Sequence, residues 1–363
     1  MDYKEAYKLW TTDDYFDKDI KAELLAITDE KEIEERFYRD LEFGTGGLRG
    51  ILGAGTNRIN IYTVRKASQG LANFIRKQGG QDKGVAIAFD SRHMSPEFAV
   101  EAALCLNANG IKTYKFETLR PTPELSFALR YLHCIAGIVI TASHNPAEYN
   151  GYKVYWEDGA QIVPPYDELI INEVNAVTDW RDVLTMDRAE AEKAGLFNVI
   201  GSEVDDAYIA AVKSNAIHTE MIEAASDKIN IVYTPLNGAG NMPVRRVLSE
   251  LGFKNVHVVK EQEAPDGDFP TIGYPNPEDP HAFELALKLA KEVDADIVMA
   301  TDPDSDRLGV YCKDEKNGGY ISFNGNMSGM LIAEYIFRER QKAGTLPANG
   351  ALVSTIVTTN MAR

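Results

Sequence analysis

Blocks of apolar residues along the chain alternate with amphipathic stretches, and this pattern predicts short buried strands separated by helices. Residues 12–40 are rich in Asp, Glu and Lys, with Ile20, Leu24 and Phe37 at helical spacing. This spacing predicts helices at the start of the chain. The glycine-rich stretch FGTGGLRG, residues 43–50, follows them and predicts a loop.

A strand, a helix and a second strand are predicted next. Val85–Phe89 is a short apolar run typical of a buried strand. Ser95 and Pro96 suit the N-cap and first position of a helix that runs to Gly110. A second strand, residues 111–117, follows directly.

The same order returns later in the chain. Residues 229–233 and 255–259 predict strands on either side of a helix. A third copy begins with a helix at residues 327–340 and a strand at 350–358. Alternating strands and helices predict an α/β fold, with successive domains of mixed β-sheet sandwiched between α-helices and the third domain incomplete.

Changes in composition suggest three domains. We place the first at residues 1–200, the second at 201–320 and the start of a truncated third at 321–363. Residues 260–282 form a long stretch rich in Pro, Gly and Asp. Loops of this length without secondary structure of their own are often functional.

Charge excludes one class of function. The chain has 38 Lys and Arg against 55 Asp and Glu, a net charge of −17. An acidic surface repels nucleic acid, so no nucleic-acid partner is expected. A phosphorylated ligand would need positive charge concentrated locally, which gives arginines and lysines inside loop motifs particular interest.

Cysteine usage and the first residues indicate a cytoplasmic protein. Cys105, Cys134 and Cys312 are scattered, as expected of reduced thiols. The polar, acidic beginning does not resemble a secretory signal, and no apolar run reaches membrane-spanning length. We therefore expect no membrane association.

The first candidate motif is TASHNP, residues 141–146, which follows the apolar strand 136–140. Pro146 disfavours a helical Asn145, so Ser143 is expected on a turn at the strand end with its oxygen exposed. A phosphoryl carrier needs such a hydroxyl near an acid–base group. His144 is adjacent, but neighbours seldom pair as nucleophile and base, so it is expected to serve a substrate hydroxyl. An Asn-Pro turn with a capping serine is the alternative.

The second motif, DPDSDR, follows the strand at residues 297–300. Carboxylates of Asp302, Asp304 and Asp306 can converge on one hard cation, which would relieve their mutual repulsion. An EF-hand loop is excluded, because Arg307 and Lys313 stand where that loop needs Gly and Glu. A solvated acidic turn is the alternative.

The third motif is the glycine-rich stretch, where Thr45 and Gly46 are candidates for binding phosphate. Its glycines allow backbone amides to face an anion, and Arg49 can bind one bidentately. It matches neither the dinucleotide fingerprint nor the P-loop. Lys153, a few residues past Ser143, can point back at the same phosphate. The alternative for the glycine-rich stretch is a flexible turn, and the alternative for Lys153 is an ordinary surface lysine.

Taken together, TASHNPAEYNGYKVY, DPDSDR and FGTGGLRG resemble the motifs of the α-D-phosphohexomutase superfamily in order and approximate spacing. LEFGTGGLRGILGAGTNRIN and DGDFPTIGYPNPEDP resemble its branch of phosphoglucomutases and phosphopentomutases. The resemblance runs from about residue 38 to the end of the chain. It implies α/β domains around a cleft, the first carrying the serine and the second the metal loop.

The resemblance also implies roles for individual residues. Ser143 would be the phosphoserine and a ligand of Mg²⁺. Other residues would hold the metal, transfer protons and stabilise charge: Asp302, Asp304 and Asp306 for the metal, His144 and Lys153 for acid–base chemistry, and Arg49 and Arg307 for charge.

The implied activity is interconversion of a sugar 1-phosphate and a sugar 6-phosphate through a bisphosphate, with glucose as the expected sugar and glucose 1,6-bisphosphate as activator. The family's sugar-recognition and phosphate-binding motifs are absent from this sequence, so a poorly active fragment is expected. Alternatives are a phosphopentomutase or phosphomannomutase, a metal-dependent phosphatase, and a non-catalytic fragment that binds sugar phosphates.

Overall fold

The structure is a computed structural model that describes residues 2–44 and 46–362. The candidate Thr45 lies outside the described residues. Contacts divide the chain into two compact units. The first comprises Met1–Tyr208 and Asp266–Tyr274, and the second comprises Ile209–Pro265 and Pro275–Arg363.

Helices and strands alternate through both units. The helices of the described residues are α1 (Tyr3–Thr12), α2 (Lys18–Ala26), α3 (Glu30–Phe37), α4 (Ile61–Lys77), α5 (Ser95–Ala108), α6 (Thr122–Tyr131), α7 (Tyr166–Ala176), α8 (Arg188–Lys193), α9 (Ser202–Lys213), α10 (Thr219–Ala225), α11 (Asn241–Glu250), α12 (Glu284–Val293) and α13 (Gly325–Lys342). The strands are β1 (Gly47–Ile51), β2 (Val85–Phe89), β3 (Thr113–Phe116), β4 (Ala136–Ile140), β5 (Tyr149–Trp156), β6 (Phe197–Ile200), β7 (Asn230–Thr234), β8 (Asn255–Val258), β9 (Ile297–Thr301), β10 (Leu308–Lys313) and β11 (Tyr320–Phe323). The predicted α/β fold is confirmed.

The first unit is built on a six-stranded mixed sheet of order β1-β5-β4-β2-β3-β6. β2, β3, β4 and β6 are parallel, whereas β5 is antiparallel to β4 and to β1. Apolar side chains cover both faces, because Ile87 packs into one core cluster and Ala88 into another. A strand buried on both faces reads as a continuous apolar run, which is why β2 and β4 were predicted to the residue.

The helices predicted within residues 12–40 are confirmed as α2 and α3, and α1 precedes them outside the predicted range. Their aromatic side chains form a cluster of their own around Trp10, which is fully buried. The Trp10 ring stacks on Phe16 with centroids 4.4 Å apart and meets Tyr62 of α4 edge-on at 5.5 Å. The tyrosine hydroxyl in turn bonds to Asp17 at the N-cap of α2. These contacts fasten the acidic helices to the sheet unit.

The second unit contains a five-stranded sheet of order β11-β10-β9-β7-β8. β7 is parallel to β8 and β9, and β10 is antiparallel to β9 and β11. β9 is the central strand, and the acidic DPDSDR segment begins directly after its last residue, Thr301. None of the described helices is both long and apolar enough to cross a membrane.

The strand predicted for the third copy of the pattern was wrong. Residues 350–358 contain no strand, and the side chains of Val353 and Ile356 are 92% and 95% exposed. An apolar run becomes a strand only when a neighbour satisfies its backbone, and no strand of the described residues pairs with this segment. The incomplete third domain therefore stays a prediction.

Two local predictions also need correction. The stretch 43–50 is not wholly a loop, because Gly47–Ile51 pairs with β5 as β1. Ser95 is not the cap of α5, since Met94 occupies the N-cap with φ of 64°. The Ser95 hydroxyl instead donates to the carboxylate of Asp90, 2.8 Å away. A side chain with a buried carboxylate beside it makes that stronger bond in preference to a helix amide.

Candidate active site

Ser143 lies on the turn that follows β4, as predicted. Its backbone is left-handed, with φ of 54°, a conformation uncommon for residues other than glycine. The amide of Ser143 donates to Oγ1 of Thr141 at 2.7 Å, and the Asn145 amide donates to the carbonyl of Ala142 at 3.1 Å. The expected exposure is not observed, because the residue is only 3% exposed. Its hydroxyl is thus held among polar groups of the loop.

His144 contacts the neighbouring serine, contrary to our expectation. Nδ1 of His144 lies 3.2 Å from Oγ of Ser143. Adjacent side chains on a regular strand point to opposite faces, but the left-handed turn at Ser143 brings these two together. The other side of the imidazole meets Tyr274 edge-on, with ring centroids 5.5 Å apart.

Arg49 and Lys153 are brought to the same face of the first sheet. In the β1–β5 register, Arg49 pairs with Gly151 and Gly47 with Lys153. Alternate residues of a strand share a face, so both basic side chains project from that face. The Arg49 guanidinium donates to the side chain of Asn145 at 3.2 Å, which ties it to the serine loop.

The Gly46 amide is already used within its turn. It donates to the carbonyl of Gly44 at 2.7 Å, and the carbonyl of Gly46 accepts from Val154 at 3.0 Å. The role of Gly46 in binding phosphate stays a prediction, as does that of Thr45.

Close backbone approach explains why glycine occupies position 151. A Cβ atom there would lie 2.4 Å from the carbonyl oxygen of Thr141 and 2.9 Å from that of Leu48. The Thr141 amide also donates to the Gly151 carbonyl at 3.1 Å. A side chain at residue 151 would therefore push β5 away from the start of the serine loop.

Asp90 belongs to this site, although its sequence context suggested no role for it. The residue follows β2, is 1% exposed, and accepts the hydroxyl of Thr141 at 2.6 Å. Parallel strands β2 and β4 end at the same sheet edge. The signal that could have identified Asp90 is therefore a charged residue directly after a wholly apolar strand.

The three aspartates of the second unit converge as predicted. One carboxylate oxygen from each lies within 4.8 Å of the other two, with Asp302 and Asp304 buried and Asp306 exposed. Asp302 also accepts the amides of Asp306 at 3.1 Å and Arg307 at 3.0 Å, which closes the loop. Clustered carboxylate oxygens suit a hard divalent cation such as Mg²⁺ and would repel one another without it.

Arg307 lies at the end of this loop, next to the first residue of β10. Its guanidinium approaches Glu278 at 3.5 Å, and both side chains are substantially exposed. An exposed pair contributes little to stability. The arginine is thus placed beside the acidic cluster by the backbone of the loop rather than by a strong ion pair.

Two α/β/α units, each with a polar loop after a central strand, define the class of protein. The sequence matches the family model for the alpha/beta/alpha domain I of phosphoglucomutase/phosphomannomutase over residues 40–180. It matches the model for domain II over residues 206–318. The chain belongs to the α-D-phosphohexomutase superfamily.

Named relatives narrow the comparison. A phosphoglucomutase of Staphylococcus saprophyticus is 36% identical over 333 residues, which are 92% of this chain and 58% of the relative. A phosphoribomutase of Saccharomyces cerevisiae is 35% identical over 351 residues, 93% of this chain and 56% of the relative. The crystal structure of a putative phosphomannomutase from Thermus thermophilus superposes with a TM-score of 0.69 at 25% identity, covering 83% of this chain and 62% of that one. The chain thus spans less than two thirds of the length of these relatives.

Proposed function

We propose that the chain carries the phosphoryl-transfer parts of a phosphoglucomutase-like enzyme, with Ser143 as the phosphorylated residue. The observation that carries the proposal is the Ser143 hydroxyl, held in a left-handed turn with an imidazole nitrogen 3.2 Å away. A nucleophile and a proton acceptor within hydrogen-bond reach are the minimal parts of such a carrier. Similarity to enzymes named phosphoglucomutase supports the substrate class.

The reaction divides into two transfers. In the first, the bond from phosphorus to Oγ of Ser143 breaks as a new bond forms to the free hydroxyl oxygen of the sugar phosphate, and the hydroxyl proton passes by way of His144 or Lys153 to the departing Oγ. In the second, the resulting bisphosphate presents its other phosphate, which returns to Ser143 while the proton goes back to the sugar. Glucose 1,6-bisphosphate would load the serine by this second transfer.

Charge on the group in flight needs to be neutralised. Arg49 would bind a phosphate oxygen, and its hydrogen bond to Asn145 of the serine loop supports this role. Asp302, Asp304 and Asp306 would hold Mg²⁺, which when bound offsets negative charge on the phosphoryl group, and Arg307 follows them in the loop.

The experiment that tests this function is transfer to the protein itself. After incubation with Mg²⁺ and glucose 1,6-bisphosphate, peptide mass spectrometry is expected to find phosphate on Ser143. Ser143→Ala should abolish labelling, whereas Ser214→Ala, at an exposed serine of the second unit, should leave it unchanged. Labelling on another serine, or labelling that survives Ser143→Ala, contradicts the assignment.

A pentose substrate is the second candidate, favoured by the similarity to a phosphoribomutase. Parallel assays with glucose 1-phosphate and ribose 1-phosphate separate the two candidate substrates, and release of inorganic phosphate instead of an isomer would indicate a phosphatase.

We also propose a cytoplasmic location. Burial raises the pKa of the Cys134 thiol to about 12, and Cys105 is buried likewise, so both thiols are unreactive structural groups.

A further inference from the structure

The segment between β2 and α5, DSRHM at residues 90–94, contains a buried arginine that faces the serine loop. Arg92 is 1% exposed. Its guanidinium donates to backbone carbonyls of the loop: those of Ser143 at 2.6 Å, Pro146 at 2.8 Å and Tyr149 at 3.0 Å, and that of Asn145. One side chain therefore binds four carbonyl groups across the length of this loop.

These bonds fix the path of the loop backbone. Carbonyls withdrawn from water are costly unless they accept a hydrogen bond, and Arg92 supplies a donor to each of these four; the Pro146 carbonyl also accepts the Tyr149 amide at 3.1 Å. The planar guanidinium offers five donors in a rigid fork, which suits several acceptors held at once. Because the carbonyl of Ser143 is one of the four, its left-handed backbone is held directly by Arg92.

Asp90 completes the arrangement from the other side. Its carboxylate lies 3.4 Å from Nε of Arg92, accepts the Arg92 amide at 3.0 Å, and accepts the Thr141 hydroxyl at 2.6 Å. The Thr141 oxygen in turn accepts the amide of Ser143 at 2.7 Å. The amide and the carbonyl of Ser143 are thus both held by the same buried ion pair.

A segment distant in sequence covers this ion pair. Residues Asp266–Tyr274 belong to the first unit, and Phe269 within them is 1% exposed with φ of 46°. The Phe269 ring centre lies 5.1 Å from Cζ of Arg92, and Asp268 bonds to His93 at 2.6 Å. An aromatic ring over a guanidinium attracts the cation and excludes water from its hydrogen bonds.

We propose that Arg92 is the positioning residue of Ser143, and that Phe269 excludes water from the Arg92 guanidinium. The catalytic consequence rests on the proposed function, whereas the holding of the loop does not. The four bonds from the Arg92 guanidinium to the loop end on backbone carbonyls. Arg92 acts by placing the hydroxyl of Ser143, so its loss displaces the nucleophile without removing any chemical group.

The test compares two buried arginines of the same unit. Arg120 is 2% exposed, lies 5.4 Å from the Phe116 ring and pairs with both oxygens of Asp205, so it matches Arg92 in burial and ring contact. Arg92→Met is expected to slow phosphorylation of Ser143 by glucose 1,6-bisphosphate about 100-fold, the effect of a misplaced nucleophile. Arg120→Met should leave the rate within about twofold at a temperature where both variants are folded.

Two further variants separate geometry from charge. Arg92→Lys keeps the charge but cannot span four carbonyls, so it should not restore the rate; full rescue by lysine would overturn the role of the guanidinium fork. Phe269→Leu keeps an apolar cover without the ring and should slow the transfer less than Arg92→Met does.

Amide hydrogen exchange supplies a readout independent of activity. Exchange in residues 141–149 should accelerate in Arg92→Met and not in Arg120→Met. If the wild-type protein takes no phosphate on Ser143, the proposed function fails, and exchange alone then decides whether Arg92 holds the loop. Equal exchange in the two variants overturns the inference, whatever the labelling shows.

Discussion

Nδ1 of His144 lies 3.2 Å from the hydroxyl oxygen of Ser143, its neighbour in the chain. In the tautomer with an unprotonated Nδ1, the serine donates this bond, and the imidazole is placed to take its proton. If Ser143 carries a phosphoryl group, as proposed, the same nitrogen can return the proton to Oγ when that group is transferred to the sugar. One imidazole can therefore serve both directions of transfer, and Lys153 on β5 remains the alternative partner for the sugar hydroxyl.

We predict that His144→Gln slows phosphoryl transfer to and from Ser143. Glutamine can keep a hydrogen bond but cannot exchange a proton at neutral pH, and general acid–base catalysis is worth about 100- to 10,000-fold in rate. Rapid-quench measurement of Ser143 phosphorylation gives the rate directly. His281→Gln, which alters an exposed histidine paired with Asp279, is the control. A rate in His144→Gln equal to that of the control would assign the proton transfer to another group.

The sequence could predict the strands that position these groups but not the contacts between them. β2 and β4 were predicted correctly because each is buried on both faces and therefore wholly apolar. The contacts of Asp90 and Arg92 with the serine loop join residues more than 50 positions apart. Such pairing follows from the sheet order, which hydrophobic periodicity does not encode.

The same limit explains why the strand predicted at residues 350–358 does not form. Its composition is typical of a strand, yet a strand also needs a partner, which no local pattern supplies. The metal loop was predictable for the opposite reason. Three alternate aspartates lie within five residues, so a single loop brings one carboxylate oxygen of each within 4.8 Å of the others.

We predict that Asp304→Asn weakens Mg²⁺ binding. Asp304 is fully buried beside Asp302, and replacing it removes one negative charge from the cluster. A unit charge 4 Å away is worth about 4 kcal/mol at an effective dielectric constant of 20, so affinity should fall by more than about tenfold. Calorimetric titration measures this. Asp314→Asn is the control, because Asp314 lies in an exposed turn where its carboxylate accepts the amides of Lys316 and Asn317. This variant should leave the Mg²⁺ affinity unchanged. Equal Mg²⁺ affinities for the two variants would mean that DPDSDR is only an acidic turn.

We predict that Trp10→Ala destabilises the first unit. Trp10 is fully buried against Phe16, Phe37 and Tyr62, so the truncation leaves a cavity at the centre of the N-terminal cluster. Losses of this kind are about 3–5 kcal/mol in free energy of unfolding. Urea unfolding followed by circular dichroism gives the value. Leu25→Ala, at a residue 64% exposed, is expected within about 0.5 kcal/mol of wild type.

The last prediction concerns Lys115, a buried lysine on β3. Its ammonium group lies 4.4 Å from the centre of the Phe89 ring and donates to the carbonyl of Phe116 at 3.0 Å. Loss of hydration on burial, and then the positive charge of Arg188, lower the pKa of Lys115 from 10.5 to about 8. Below pH 8 the lysine is charged in both the folded and the unfolded chain, so folding carries the full cost of burying that charge. Between pH 8 and 10.5 the folded chain releases the proton first, and this cost disappears.

Stability attributable to Lys115 should therefore rise with pH across this window, because the unfolded chain binds more protons there. A shift of this size corresponds to about 3 kcal/mol. Lys115→Met keeps the apolar stem without the charge, so we expect it to be more stable than wild type at pH 7 and to lose that advantage by pH 10.5. Urea unfolding of both proteins at several pH values tests this, because other titrating groups cancel in the difference. Lys193→Met, at an exposed lysine, should follow the wild-type curve. A Lys115→Met advantage that does not change with pH would mean that packing, and not the buried charge, separates the two proteins.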